Sequence, residues 1–170
     1  MCFRASKVVL ATMLPLWVQV FPAFPQDAKS TWSFDSLRQN QEQTASSITQ
    51  QDEKVDAVID QMVLLWNSHD LDQFLSLFWN SDGLVIVVHG VPEFGWNRLR
   101  ERDLISYADR TRMGCLTVQR LKIEVLAPGL AEAVCWWTFD FAGTKSSTTD
   151  VTVFRRFTDG WKVISDDICQ

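Results

Sequence analysis

Val151-Thr152-Val153-Phe154-Arg155-Arg156-Phe157, then Thr158-Asp159-Gly160, then Trp161-Lys162-Val163-Ile164-Ser165-Asp166-Asp167 is the stretch that decides how this chain folds. Two arms of strand length flank a short connection whose glycine can adopt the positive φ of a tight turn. The arms alternate as strands do. Val151, Val153 and Phe157 share one face, while Trp161 and Val163 lead a face that continues through Ser165 to Asp167. This reading predicts a β-hairpin with Ser165 and Asp167 on the side of the core.

Just upstream, Gly143–Ser147 connects the hairpin to Ala131–Phe141, where Ala133, Cys135, Trp137 and Phe139 recur at alternate positions. Ala127-Pro128-Gly129 turns that strand back onto Leu116–Leu126. There the apolar phase shifts from Leu116 and Val118 to Leu121, Ile123 and Val125, which predicts a bulge and a bend in the sheet. Leu84–His89 is a further strand, apolar on both faces. Gly90–Gly95, with Pro92, reads as a turn.

The remaining elements are helical. Val55, Ile59, Met62 and Trp66 form a stripe, with Thr49 as the expected cap and Asp52 and Glu53 in the first turn. Asp70, followed by Gln73, caps a shorter helix that turns Leu71, Phe74, Leu75 and Phe78 inward. A third helix, Trp96 to Thr111, presents Trp96, Leu99, Leu104, Tyr107 and Ala108. Helices followed by an antiparallel meander predict an α+β domain, with three N-terminal helices on one face of a curved sheet.

The 170 residues suit one domain. A 46% apolar and 22% charged composition predicts a folded chain, and the eight tryptophans and eleven phenylalanines suit either a large core or an apolar pocket. The net charge of −5 argues against nucleic-acid binding and against association with anionic lipid. Met1 to Phe24 has the form of an export signal: Arg4 and Lys7 precede the apolar run Val8–Val18, which is short for a membrane span. The expected division is a signal over 1–26, cut within 23–30, a polar Gln- and Ser-rich leader over 27–48, and the domain over 49–170. The mature chain is then expected in the periplasm or secreted, with no stable membrane association.

The order of elements carries a resemblance. Trp66-Asn67 followed by Asp70, Phe78-Trp79-Asn80-Ser81 before the first strand, Gly95-Trp96 opening the third helix, Met113-Gly114, and Asp159-Gly160-Trp161-Lys162-Val163-Ile164 together resemble the nuclear transport factor 2-like superfamily. The likeness is to its SnoaL-like and ketosteroid-isomerase-like exported domains, and it covers residues 50 to 169. It implies a cone-shaped curved sheet (the cystatin-like roll), an apolar cavity and a homodimer through the outer sheet face. Similar domains often end in His-Asp-His where this chain has Ser165, Asp166 and Asp167, so a proton-transfer role for those histidines does not carry over.

Fold membership does not fix function. The first expectation is an apolar pocket for a small organic molecule. The alternatives are a cofactor-free isomerase, dehydratase or cyclase, and a non-catalytic homo-oligomerisation or interaction module. For catalysis the residues to examine are Asp167 as base, with Tyr107 and His89 as hydrogen-bond donors. Each has a plainer reading: a rim carboxylate, a core aromatic, a strand-end polar residue. The expected pocket walls are Trp66, Trp96, Trp137, Phe139, Trp161 and Ser165. Two distant histidines and unpaired Cys115, Cys135 and Cys169 suggest no metal, and no phosphate-binding loop suggests a cofactor. The three thiols are expected free and mainly buried.

Overall fold

The computed structural model describes residues 34–169. The export signal expected at the N-terminus lies outside the described residues. Helix α1 spans Phe34–Asn67 and helix α2 Leu71–Leu75; strands β1 (Val85–Val88) and β2 (Val91–Phe94) follow. Helix α3 is Trp96–Ser106, and a single turn of 3-10 helix, Arg110–Met113, leads into the long strands. These are β3 (Cys115–Ala127), β4 (Leu130–Phe141), β5 (Thr144–Phe157) and β6 (Gly160–Cys169). The six strands form one curved mixed sheet in the order β2-β1-β6-β5-β4-β3. All neighbours are antiparallel except β1 and β6, which run parallel.

Three departures from the sequence reading have physical causes. The first helix starts at Phe34 rather than Thr49, whose hydroxyl instead donates back to the Ala45 carbonyl at 3.1 Å. Residues 30–66 contain neither Gly nor Pro, and Gln, Glu, Arg and Leu sustain a helix without a core beneath it. Its first buried residue is Val55. Second, Gly90–Gly95 holds a strand. Pro92 fits there because β2 is at the sheet edge, where a missing N–H leaves no ladder bond unmade. Third, Tyr107 ends α3, and Asp109 restarts the chain by accepting a 3.0 Å bond from the Thr111 N–H. The phase shift expected in β3 is present between Arg120 and Lys122.

The helices cover the concave face. Val55, Ile59, Met62 and Trp66 of α1 pack with Leu71, Phe74 and Leu75 of α2 onto Leu116, Ala133, Trp137, Phe154 and Val163. One residue fastens the end of α1 to the start of β3. Asn67 Nδ2 donates to the Leu116 carbonyl at 2.9 Å, and the Leu116 N–H donates to Asn67 Oδ1 at 2.6 Å. Beside it, Trp66 Nε1 donates to the Met113 carbonyl at 2.9 Å. Gly114 completes the joint at φ 65°, where a Cβ would stand 2.6 Å from the Asp140 carbonyl oxygen and 2.8 Å from the Phe141 ring. Only glycine fits there.

Gly114→Ala is therefore expected to lower stability by about 1–3 kcal/mol through strain and the clash with β4. Asn67→Ala should cost about the same by leaving the Leu116 backbone groups unpaired. Urea denaturation of the two variants checks both; a loss under about 0.5 kcal/mol in either would remove the joint from this account.

Candidate functional site

The site is set by one extra residue in β6. Val153 pairs with Ser165, but the next residue of β5, Phe154, pairs with Val163, so Ile164 is bulged out of the ladder. Trp161 and Val163 point into the core before the bulge; after it the inward residues are Asp166 and Ile168. Asp167 is consequently exposed, and Ser165 faces outward beside Val153. The expectation that Asp167 enters the cavity is corrected: the alternation that held for Trp161 and Val163 is broken at Ile164, and its neighbour Asp166 takes the inner position.

Asp166 stands opposite Ile86 of β1 and Thr152 of β5, and its Oδ1 accepts the Thr152 hydroxyl at 2.7 Å. Diagonally across, Asp150 sits opposite Ile168. Both carboxyls line a half-open cavity of about 120 Å³ together with Trp66, Phe74, Trp137 and Phe139. Trp66 anchors this wall. Its indole meets Phe74, Tyr107 and Phe139 edge-to-face, with centroids 5.1, 5.0 and 5.6 Å away. Helix α3 supplies Leu99, Arg102 and Asp103, and Tyr107 follows at its end. The Arg102 guanidinium is held twice: Nη1 donates to Glu93 Oε2 of β2 at 2.7 Å and Nε to Asp103 Oδ1 at 2.9 Å.

Burial raises Asp150 to about 6, with the charge of Asp167 adding to it. The nearby Thr148 hydroxyl offsets part of this, although neither its Oγ1 nor Asp150 Oδ1 completes a hydrogen bond among the described residues. Asp166 rises further, to about 8, because it is more fully enclosed and faces the Asp150 charge; the Thr152 hydroxyl and Arg102 pull it back. Burial also raises Asp103 against the opposing pull of Arg102, and raises Tyr107. Near neutrality the Asp150–Asp166 pair thus holds about one proton between two carboxyls. One member can accept a proton while the other donates one.

Tyr107, Trp66, Trp137 and Phe139 lie where the sequence reading put them, on the cavity wall. The other expected residues do not. His89 is exposed in the β1–β2 turn at φ 52°, Trp96 lies outside the cavity with Nε1 donating to the Leu75 carbonyl at 3.0 Å, and Trp161 is buried away from it. Asp150, Asp166, Arg102 and Asp103 were missed. In β5, Thr148, Asp150, Thr152 and Phe154 form the inward face in place of Val151 and Val153, and the polarity of the first three hid that face from a reading by hydrophobic alternation. Cys135 is the buried thiol, held in its protonated form at about 11 by burial; Cys115 and Cys169 are free and exposed, against the expectation of buried thiols. Among the described residues, no three His, Cys, Asp or Glu side chains converge to hold a metal ion.

No family model and no curated protein matches the sequence. Solved structures match by shape. A protein of unknown function from Shewanella oneidensis superposes with TM-score 0.67 at 19% identity, covering 69% of this chain and 98% of that one. It is nuclear transport factor 2-like. This chain has the nuclear transport factor 2-like fold. A nuclear transport factor 2-like protein from Pseudomonas putida, also of unknown function, matches at TM-score 0.58 and 13% identity over 71% of this chain and 87% of its own. A candidate scytalone dehydratase from Novosphingobium aromaticivorans matches at TM-score 0.56 and 8% identity, covering 68% and 80%. The likeness shows the fold; at these identities it carries no residue roles.

The raised carboxyls predict a pH dependence of stability. In the folded state Asp150 and Asp166 keep protons that the unfolded chain has already lost in the ordinary carboxylate range. Unfolding between that range and the raised values releases protons, so their contribution is complete at low pH and is lost as pH rises through about 6 and about 8. Asp166→Asn should flatten the decline. The melting temperature followed from pH 5 to 9 in wild type and variant checks this; parallel curves would place Asp166 in water.

Proposed function

We propose that this chain is a small-molecule-binding domain whose ligand is a compact, mainly apolar organic molecule seated in the aromatic cavity. One observation supports the reading above others: a half-open cavity walled by Trp66, Phe74, Trp137 and Phe139 also holds a buried carboxyl, Asp150, whose Oδ1 completes no hydrogen bond among the described residues. A space of about 120 Å³ suits a body about the size of one substituted aromatic ring. Export is the matching proposal for the segment before the domain, from the charged and apolar pattern of Met1 to Phe24.

A second reading is cofactor-free acid–base catalysis of an isomerisation, dehydration or cyclisation. The Asp150–Asp166 pair favours it, since two carboxyls with separated affinities for one proton are what such chemistry uses. Tyr107 would donate toward developing negative charge. The candidate scytalone dehydratase shows that this fold is a setting in which dehydratase chemistry is considered, no more. A homodimer through the outer sheet face belongs to both readings. Trp136 lies exposed there, beside half-buried Val134 and Val151.

Titrating the protein with single-ring organic compounds while following tryptophan fluorescence tests the binding reading, because Trp66 and Trp137 form the wall. A saturable change with at least one of them is expected, together with a raised melting temperature. A flat response across neutral, cationic and anionic single-ring compounds would overturn the binding reading. For the catalytic reading, α-hydrogen exchange of a bound cyclic ketone in heavy water is expected to fall about 100-fold in Asp166→Asn with binding retained; unchanged exchange would remove Asp166 from it.

A further inference from the structure

We infer that the cavity is selective for an organic amine, with the ammonium group held at Asp150 and the apolar body against the tryptophan and phenylalanine wall. The inference rests on the binding reading above and names its ligand class.

The charge arrangement carries it. Two arginines stand near the polar end, and each is already enclosed by two acids. Arg102 is paired to Glu93 and Asp103. Arg120, on β3, lies in the row that runs through Cys135 of β4 to Asp150 of β5, and it is paired to Asp56 and Asp60 of α1. The charge of each guanidinium is thus balanced by two carboxylates before any ligand arrives. With Asp166 held by Thr152, Asp150 is the cavity acid whose Oδ1 is buried and completes no hydrogen bond, only the Thr148 hydroxyl lying nearby; its residue is only 7% exposed. A buried carboxylate without a partner is costly, and a cation brought in by the ligand removes that cost. An anion would meet Asp103, Asp150 and Asp166 together. A carboxylate at one end and indole and phenyl faces around it is also the setting in which an ammonium gains from aromatic quadrupoles. Trp66 and Trp137 supply the larger faces, with Phe74, Phe78 and Phe139 between them.

The same arrangement sets a pH dependence. The titratable and charged groups around Asp150 are Asp166, Asp167 and Cys169 of β6, Cys135 of β4, Asp103 and Arg102 of α3 with Glu93 behind them, Tyr107, and Arg120 with its partners on α1. An amine stays protonated from pH 5 to 8, so the group that changes is the acid pair. As pH rises through about 6, Asp150 becomes the carboxylate that the ammonium needs, and affinity rises.

Isothermal titration of the full chain with benzylamine, benzyl alcohol and benzoate at pH 8 tests this. The three share a ring and differ in charge. Benzylamine is expected to bind at least tenfold more tightly than benzyl alcohol, and benzoate not to bind. The preference should shrink about tenfold at pH 5 and vanish in Asp150→Asn. Benzyl alcohol binding as tightly as benzylamine would overturn the amine inference and leave the binding reading standing. No heat and no fluorescence change with any of the three would overturn both. Should Asp150→Asn fail to fold, the wild-type order of the three compounds still decides.

Discussion

The chemistry of this protein depends on an interruption. A strand that alternates without fault from Trp161 would put Ser165 and Asp167 inside and Asp166 in water. The extra residue at Ile164 shifts the phase by one, and a carboxyl is driven into an aromatic cavity opposite Thr152 and Ile86. The setting of Asp166 follows from that shift: the Thr152 hydroxyl finds an acceptor, and burial together with the neighbouring Asp150 charge raises Asp166 well above the ordinary carboxylate range. The sheet gives up one rung of its ladder, and the cavity gains a titratable floor.

The walls obey a different logic. The aromatic side rests on Trp66, which is fixed at both ends: its indole N–H is bonded to the Met113 carbonyl, and its ring is packed edge-on against three other rings. The Asn67 contact to Leu116 locks the helix that carries it. This side is rigid by hydrogen bonding and by shape. The opposite side is governed by charge, with Arg102 drawing strand β2 and helix α3 together across the mouth. A stiff apolar wall facing an ionic one is an arrangement that orients a ligand with two unlike ends.

Much of this was legible in the sequence, and the failures have a common cause. The helices, the hairpin, the bend in β3 and the aromatic wall were readable because hydrophobic periodicity reports them directly. The site carboxyls were not, because each sits at a point where periodicity is interrupted or outvoted. In β6 the trace of the bulge is only the adjacent apolar pair Val163-Ile164, too short a break to displace the reading of Trp161, Val163, Ser165 and Asp167 as one face. In β5 the inward residues Thr148, Asp150 and Thr152 are more polar than the outward Val151 and Val153, so hydrophobicity pointed to the wrong face. The long N-terminal part of α1 was hidden for the converse reason: its polar composition resembles a leader, and only the lack of Gly and Pro spoke for helix.

The double clamp on Arg102 bears on how such a cavity diverges. Of its two acids, Asp103 is part of the packed interior, whereas Glu93 belongs to a short edge strand that contributes no residue to the core. Glu93 also pairs with Arg98, so two guanidiniums rest on this one edge carboxylate. Loss of the acid at 93 would leave a half-freed guanidinium beside the cavity and loosen the tie between β2 and α3, with the aromatic wall and the floor untouched. On the amine reading, a single change at the sheet edge would therefore weaken the preference of the cavity for a cation.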